Sequence, residues 1–278
     1  MLGRFAGWLS RRRAPPPIPD ALWQAALARY PFLADRAAAE RDALRTLAAA
    51  FLQAKEFHGA RGFEITDEVA VAIAAQAVLP VLHLGSTPGD TSALRWYDDF
   101  VGIVVQPGEV VAQREVVDED GIVHHYDELL AGEAMDGGPV MLSWPDVAEA
   151  GATAEHGYNV VVHEFVHKID MRDGAPDGCP PLPAGFLGTA GARTARAAWL
   201  AVLEPAYEDF REQVIRAERF GAAETWLDPY GAQAIDEFFA VASEAYFVQP
   251  ARFASEFPTL APLFDAFFRA GATARPIA

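Results

Sequence analysis

The chain has 278 residues, of which 51% are hydrophobic and 22% are charged, as in a globular protein rather than a disordered one. It carries 22 Lys and Arg against 39 Asp and Glu, and the resulting formal charge of −17 disfavours direct binding of nucleic acid or of anionic membranes. Because Cys179 is the single cysteine, an intrachain disulfide and a cysteine-based zinc site are excluded, which favours a cytoplasmic location.

Residues 1–19 are predicted to form a flexible tail in front of the folded part of the chain. The arginines at 11–13 follow the apolar residues of the tail, whereas a secretory signal places its basic residues first. These apolar residues recur at helical spacing, so a weak anchor at a membrane surface is the alternative. The most apolar stretch, residues 69–84, is interrupted by polar residues and proline, so no membrane span is predicted.

The remaining residues, 20–278, are predicted to form one α+β domain with three parts. Residues 20–79 show helical periodicity, residues 80–145 contain short β-type runs, and residues 146–278 are helical again. The order of elements is therefore helices, a small sheet, and then helices.

Local signals mark several boundaries within these parts. Thr66, followed by two acidic residues, marks the start of an apolar helix that should end before Pro80. Asp120 and Gly121 lie between two β-type runs and indicate a hairpin, because glycine accepts a positive φ. The sheet is predicted from short β-type runs at residues 81–84, 101–105, 109–112 and 139–144. The last of these runs is expected to be an edge strand that pairs with an extended peptide.

The strongest functional pattern is the run of residues 163–167, His-Glu-Phe-Val-His. On a helix, His163 and His167 are about 40° apart, so both imidazoles can face one metal ion. Glu164 lies beside that face, where it can take a proton from a metal-bound water. The flanking residues are apolar as in zincin helices, although Lys168 stands where those helices usually carry an uncharged residue. The alternative is two ordinary helix histidines beside a glutamate that forms a salt bridge.

A catalytic zinc ion needs three protein ligands and one open position, so a further ligand must lie outside this run. Position 173 is Asp, which excludes the third histidine of the longer metzincin motif. The remaining histidines lie upstream in dissimilar contexts: His58, His83, His124, His125 and His156. A glutamate from a later helix is therefore the natural completion of the site.

Two glutamates of one predicted helix, Glu237 and Glu244, are two turns apart and so share a face. One would bind the metal and the other would hydrogen-bond a ligand imidazole, but their spacing does not decide which does which. Tyr230 precedes this helix, and its phenol could donate a hydrogen bond to the oxyanion of a tetrahedral intermediate.

Four separate runs, at residues 140–144, 159–174, 228–231 and 237–247, resemble in this order the Mlc titration factor A family of bacterial zinc metallopeptidases. The resemblance implies an α+β fold with a zincin-like (gluzincin) core similar to the protease domain of anthrax lethal factor. It implies N-terminal helices, a small mixed sheet and a C-terminal helical part.

The resemblance also assigns roles to individual residues. One zinc ion would be held by His163, His167 and Glu237, with Glu164 as general base and Tyr230 as transition-state donor. Glu237 is preferred to Glu244 on this ground alone. Glu244 and Asp170 are then expected to interact with the metal ligands and orient them, without binding the metal themselves.

The function that the resemblance implies is that of a cytosolic zinc-dependent peptidase with aminopeptidase-type activity, linked to the regulation of sugar uptake. Its partners would be a peptide or protein substrate and, as in some members of the family, a glucose-repressor-type transcription regulator. The alternative is a non-catalytic protein that sequesters such a repressor. If the acidic residues surround the cleft, peptides that are neutral or basic near the cut should be preferred.

Overall fold

The computed structural model describes residues 15–117 and 123–270, and within residues 110–130 it describes the backbone only. The first fourteen residues of the predicted tail and the predicted turn at Asp120 and Gly121 lie outside the described residues.

Helices make up most of the described chain. In chain order they are α1 (Asp20–Arg29), α2 (Pro31–Ala34), α3 (Ala38–Ala54), α4 (Asp67–Ala77), α5 (Trp144–Thr153), α6 (Val160–Asp170), α7 (Ala192–Phe220), α8 (Ile235–Val248), α9 (Pro250–Glu256) and α10 (Leu260–Phe268). Short 3-10 helices lie at Thr91–Tyr97, Ala154–His156, Met171–Asp173, Phe186–Gly188 and Pro229–Ala232. Within the described residues, none of the helices combines the length and apolarity that a bilayer crossing requires.

The strands form a small mixed sheet and a separate antiparallel pair. They are β1 (Glu56–Gly59), β2 (Gly102–Gln106), β3 (Val110–Val117), β4 (Val123–Leu130), β5 (Gly132–Ala134) and β6 (Val140–Ser143). The sheet has the order β1-β2-β6-β5, in which β1, β2 and β6 are parallel and β5 is antiparallel to β6. Strands β3 and β4 pair with each other in antiparallel register, as expected for the predicted hairpin. The α+β class and the mixed sheet are therefore confirmed.

The sheet differs from its prediction at three places. Residues 81–84 form turns directly after α4 and not a strand, because their apolar side chains fill the core beside the end of that helix. Strand β1 has mostly exposed residues and therefore lacks an apolar pattern in the sequence. Strand β5 has only three residues, Gly-Glu-Ala, none of which favours a strand.

The edge of the sheet also lies elsewhere than predicted. Strand β6 is internal, because it pairs with β2 on one side and with β5 on the other. The expectation that residues 139–144 form the edge is therefore wrong, and β5 takes that place in the sheet.

The core holds α6 firmly against the N-terminal helices. Phe165, on the buried side of α6, makes edge-on ring contacts with Phe51 at 5.5 Å and with Tyr97 at 5.0 Å between centroids. The Tyr97 hydroxyl donates a hydrogen bond to the carbonyl oxygen of Ala77, the last residue of α4, at 2.8 Å. Each such aromatic pair adds about 0.5–1.5 kcal/mol beyond the area that it buries. The helix that carries the histidine pair is thus fixed by the interior of the protein.

Candidate metal centre

Helix α6 begins at a side-chain cap. The side-chain oxygen of Asn159 accepts a hydrogen bond from the backbone N–H of Val162 at 2.9 Å, which satisfies one of the free donors of the first turn. One turn further on, the Nε2 atoms of His163 and His167 lie 3.1 Å apart. The spacing of the two histidines on the helix therefore brings their ring nitrogens to one point.

Helix α8 packs against α6 and brings Glu237 to the same point. Oε2 of Glu237 lies 3.1 Å from Nε2 of His163 and 3.2 Å from Nε2 of His167. Among the described residues, these three form the group of His, Cys, Asp or Glu side chains whose ligand atoms all lie within 4.8 Å of one another. The three atoms make a nearly equilateral triangle.

This triangle fits a tetrahedral metal ion. Zinc–nitrogen and zinc–oxygen bonds of about 2.0–2.1 Å place neighbouring ligand atoms of a tetrahedral site ~3.3 Å apart. The three separations of 3.1, 3.1 and 3.2 Å are close to that value. Two imidazoles and a carboxylate, with a fourth position left for water or substrate, are also the ligand types found at catalytic zinc sites.

Glu244 lies behind this triangle and is almost fully buried, with 1% of its surface exposed. Its Oε1 lies 2.7 Å from Nδ1 of His163, and its Oε2 accepts a hydrogen bond from the backbone N–H of Asn159. When Nδ1 of His163 donates to Glu244, Nε2 carries a lone pair that faces Oε2 of Glu237. Two acceptors at this distance repel each other unless a proton or a cation lies between them.

The electrostatics of the cluster fit this requirement. Burial disfavours the imidazolium of His163, but hydrogen bonds to Glu237 and Glu244 outweigh burial and raise the pKa of His163 well above its ordinary value. Burial likewise opposes ionisation of Glu237, yet its hydrogen bonds to both histidines hold its pKa well below the usual range. A metal-free site therefore holds a proton that a bound cation would displace.

Glu164 faces a cleft beside the triangle and is 5% exposed. Burial raises the pKa of Glu164 to about 7, and the nearby imidazoles only partly offset this effect. A carboxyl group with a pKa near neutrality can both accept and return a proton at neutral pH. Glu164 also lies directly against β5, because a Cβ atom at Gly132 would clash with its Oε1. The backbone of the edge strand can approach Glu164 this closely only because residue 132 is a glycine.

Tyr230 reaches the site from the 3-10 helix at Pro229–Ala232. The side chain of Asp228 accepts a hydrogen bond from the Tyr230 backbone N–H at 2.9 Å, which fixes the start of this turn. The Tyr230 hydroxyl donates to Oε1 of Glu237 at 3.4 Å, and the ring lies 6.0 Å from that of His163. The phenol therefore lies at the rim of the candidate metal centre.

Asp170, the last residue of α6, is fully buried. Its Oδ2 accepts hydrogen bonds from the backbone N–H groups of Asp177 and Gly178 at 3.0 and 2.8 Å, and its buried Oδ1 has no hydrogen-bond partner. Burial raises the pKa of Asp170 to about 7. These contacts hold the loop after α6, and a supporting role of Asp170 toward the metal ligands stays a prediction.

The other described histidines stay away from the triangle. His83 is buried and lies 2.9 Å from Glu40, whereas His58 and His156 are exposed beside acidic neighbours. His124 and His125 lie on β4, of which only the backbone is described.

Two residues that support the site were not predicted from the sequence. Gln76, the polar residue in the buried part of α4, accepts a hydrogen bond from the side-chain amide of Asn159 at 2.8 Å. Asn159 in turn caps α6 and donates its backbone N–H to Glu244, which contacts His163. The polar residue in an apolar helix was the available signal, but its partner is 83 residues away in the sequence. A buried chain of hydrogen bonds thus runs from α4 to the first histidine.

Gln76→Leu is expected to weaken metal binding about 10- to 100-fold, the range found when groups that support a ligand are removed. The substitution leaves the buried amide of Asn159 without an acceptor, so we also expect a loss of about 1–3 kcal/mol in unfolding free energy. The measurement is competition with a chromogenic chelator, together with chemical unfolding.

Thr66→Ala is the matched control for this substitution. The Thr66 side chain caps the same helix by accepting from the Val69 N–H at 3.3 Å, and it lies at the opposite end of α4 from Gln76. Its loss should cost about 1 kcal/mol of stability and leave the metal affinity unchanged. Equal losses of metal affinity in the two variants would rule out a specific chain through Gln76.

A histidine pair one turn apart on a buried helix, closed by a glutamate from a second helix and flanked by a buried glutamate, is an arrangement found in metal-dependent enzymes. Comparison with known proteins agrees with this class. The model of a family described as glucose-regulated metallo-peptidase M90 matches residues 6–269. The chain belongs to this family and is therefore a metallopeptidase, for whose metal ion His163, His167 and Glu237 form the candidate site.

Individual relatives match over nearly the same length. Mlc titration factor A of Klebsiella pneumoniae is 32% identical over 254 residues, which are 91% of this chain and 87% of that protein. The proteins of the same name in Enterobacter sp. and Serratia proteamaculans are each 32% identical, over 94% and 92% of this chain and 90% and 89% of their own lengths.

Proposed function

We propose that this protein is a gluzincin-like zinc peptidase in which His163, His167 and Glu237 hold one zinc ion. The observation that carries the proposal is the triangle of three ligand atoms at 3.1–3.2 Å from one another. Two histidines of an HExxH run together with one glutamate are the ligand set of catalytic zinc sites of the thermolysin type. The HExxH pattern that supplies two of these ligands also supplies Glu164, which lies in the adjoining cleft.

In the reaction that we propose, bound zinc supplies a Lewis acid that polarises the peptide carbonyl and acidifies the attacking water. Glu164 accepts the proton of that water at its carboxylate and later returns it to the leaving amine. The Tyr230 hydroxyl turns from Glu237 to the carbonyl oxygen and donates to it as negative charge develops there. Glu244 holds His163 in the tautomer whose Nε2 is free to bind metal.

Substrate binding in this proposal uses strand β5. It is the last strand of the sheet and runs antiparallel to β6, so an extended peptide can add to its outer side. Gly132 of β5 lies against Glu164, which brings a peptide on that strand next to the general base. The contact between the edge strand and the general base supports this placement of the substrate. Residues 139–144 lie one strand further into the sheet.

We further propose that the enzyme removes residues from a free amino terminus. The cleft beside the candidate centre has a volume of only about 250 Å³, and Glu109 and Asp228 line it together with Glu164 and Glu244. Pockets for drug-sized ligands are roughly 300–1,000 Å³, so this cleft suits a residue or two rather than a long chain. A small cleft with several carboxylates attracts a protonated amino group.

Anilides of single amino acids with a free amino group are expected to be cleaved at least about tenfold faster than their acetylated forms, because an ionic hydrogen bond is lost on acetylation. Lysine anilide should likewise be preferred to glutamate anilide. The measurement is kcat/KM with and without a chelator, followed by addition of zinc. Equal rates for free and acetylated substrates would contradict the aminopeptidase assignment, and hydrolysis that survives complete zinc removal would contradict the metal assignment.

A second candidate function is the capture of a transcription regulator. The observation that favours it is the name Mlc titration factor A, which several relatives with 32% identity carry. In this case the protein would bind an Mlc-like repressor and limit the amount of it that is free. Such a partner requires a cytoplasmic location, with which the single cysteine agrees.

A further inference from the structure

Lys168 follows the second histidine directly, yet its side chain is fully buried. Its Nζ donates to the carbonyl oxygens of Met135 and Gly138, the latter at 3.1 Å, and lies 3.1 Å from Oδ2 of Asp99. The ammonium group also lies 4.8 Å from the centre of the Phe100 ring. Burial of a lysine is costly unless its hydrogens are all used, and here three oxygens accept them.

The two carbonyl groups that Lys168 binds belong to the turn between β5 and β6. Within this turn the backbone N–H of Gly138 donates to the carbonyl oxygen of Met135 at 3.0 Å, and the N–H of Met135 donates to that of Pro139 at 3.3 Å. Lys168 therefore attaches both ends of the turn to α6. Because β5 has only three residues, the position of this turn determines the position of the strand.

Lys168 and Glu164 are one turn apart and lie on the same face of α6. Glu164 contacts β5 at Gly132, and Lys168 binds the turn at the other end of that strand. The edge strand is thus attached to α6 at two points, of which one is the general base of the proposed reaction. A shift of the strand would therefore change its distance from the general base.

We propose that Lys168 is a positioning residue, which sets the distance between the peptide-binding edge of β5 and the catalytic groups on α6. This inference rests on the proposed function. Lys168 touches neither the three ligand atoms nor the cleft, so its effect on hydrolysis runs through β5. A misplacement of about 1 Å between a bound substrate and the catalytic groups can lower the rate about 100-fold.

Lys168→Met is the variant that tests this role, because methionine retains most of the side-chain volume and removes the three hydrogen bonds. Asp99 keeps a cationic neighbour in this variant, since Nη1 of Arg172 lies 3.6 Å from its Oδ1. Lys55→Met is the matched control. Lys55 is partly buried, donates to the carbonyl oxygens of Tyr97 and Phe100, and lies 3.8 Å from the same Phe100 ring without contacting the turn.

The experiment compares both variants with the wild type, each loaded with zinc, on an oligopeptide and on a single-residue anilide. For Lys168→Met we expect unchanged zinc content and a drop in kcat/KM of about 10- to 100-fold on the oligopeptide. The drop on the anilide, which is too short to pair along β5, should be below about threefold. Lys168→Arg should recover part of the oligopeptide rate, because it restores a buried cation, whereas Lys55→Met should lose stability but not oligopeptide selectivity.

Amide hydrogen exchange of the segment 132–138 provides a readout that does not depend on hydrolysis. Lys168→Met should exchange faster there than the wild type and Lys55→Met. Unchanged exchange, or equal loss of rate on both substrates, would overturn the positioning role. If the wild type cleaves neither substrate, the proposed function fails, while faster exchange in Lys168→Met still supports the attachment of β5 by Lys168.

Discussion

Glu164→Gln is expected to lower kcat by about 10²- to 10⁴-fold, the range of a general acid–base contribution, while the zinc content stays at one per chain. Glutamine has nearly the shape of glutamate and fits the same space against Gly132, but it cannot accept the proton of the attacking water. Glu164 is not one of the three residues whose ligand atoms form the metal triangle. The rate should therefore fall without loss of the metal.

The measurement for this prediction is the hydrolysis of a free amino-acid anilide, with the zinc content determined on the same sample. Glu155→Gln is a suitable control, because it removes one negative charge from an exposed position beside His156. The control should keep its full rate. Full activity in Glu164→Gln would end the assignment of Glu164 as the base.

The same variant separates the two candidate functions. A protein that acts by capturing a repressor should still bind a purified Mlc-type repressor after Glu164→Gln and should leave it uncleaved. A peptidase whose substrate is that repressor should cleave it in the wild type and only hold it in the variant. The outcome is read from co-purification and from the length of the repressor on a gel.

Glu237→Ala is expected to lose the metal, because it removes one of three protein ligands and opens the site to water. After dialysis, the zinc content should fall well below one per chain, and hydrolysis should fall with it. Glu244→Gln should keep its zinc with an affinity that is about 10- to 100-fold weaker, since Glu244 only supports His163. Removal of Glu237 should thus abolish metal binding, whereas the change at Glu244 should only weaken it.

Asp236→Ala is the matched control for the loss of Glu237, because it removes the neighbouring carboxylate from the same first turn of α8. It should retain one zinc ion per chain. Full zinc retention in Glu237→Ala, combined with loss in Glu244→Gln, would instead make Glu244 the third ligand.

Local sequence patterns predicted the elements that carry the site. The run 163–167 and its apolar flanks indicated a buried helix with both histidines on one face, and α6 has this form. Thr66 marked the start of α4, and Pro80 marked the limit beyond which it does not extend. Each of these patterns involves residues that are only a few positions apart, so it can be recognised in a single sequence.

Apolar runs predicted the backbone conformation less well, because a buried turn needs apolar side chains as much as a buried strand does. Residues 81–84 have the composition of a strand but form buried turns, because the space beside the end of α4 needs apolar side chains in any backbone conformation. Strand β5, in contrast, has no strand composition at all. It forms because β6 offers it a partner and because Lys168 and Gly132 hold it against α6.

By itself, the sequence determined that the chain carries a histidine pair on a helix, a later helix with two candidate glutamates, and no cysteine pair for an alternative zinc site. Only the tertiary structure decided that Glu237 meets the Nε2 atoms and Glu244 meets Nδ1 of His163. Because the two glutamates lie two turns apart on the same helix face, their positions in the sequence do not tell which of them binds the metal. The packing of α8 against α6 makes them different, because it sets which carboxylate reaches which side of the imidazole.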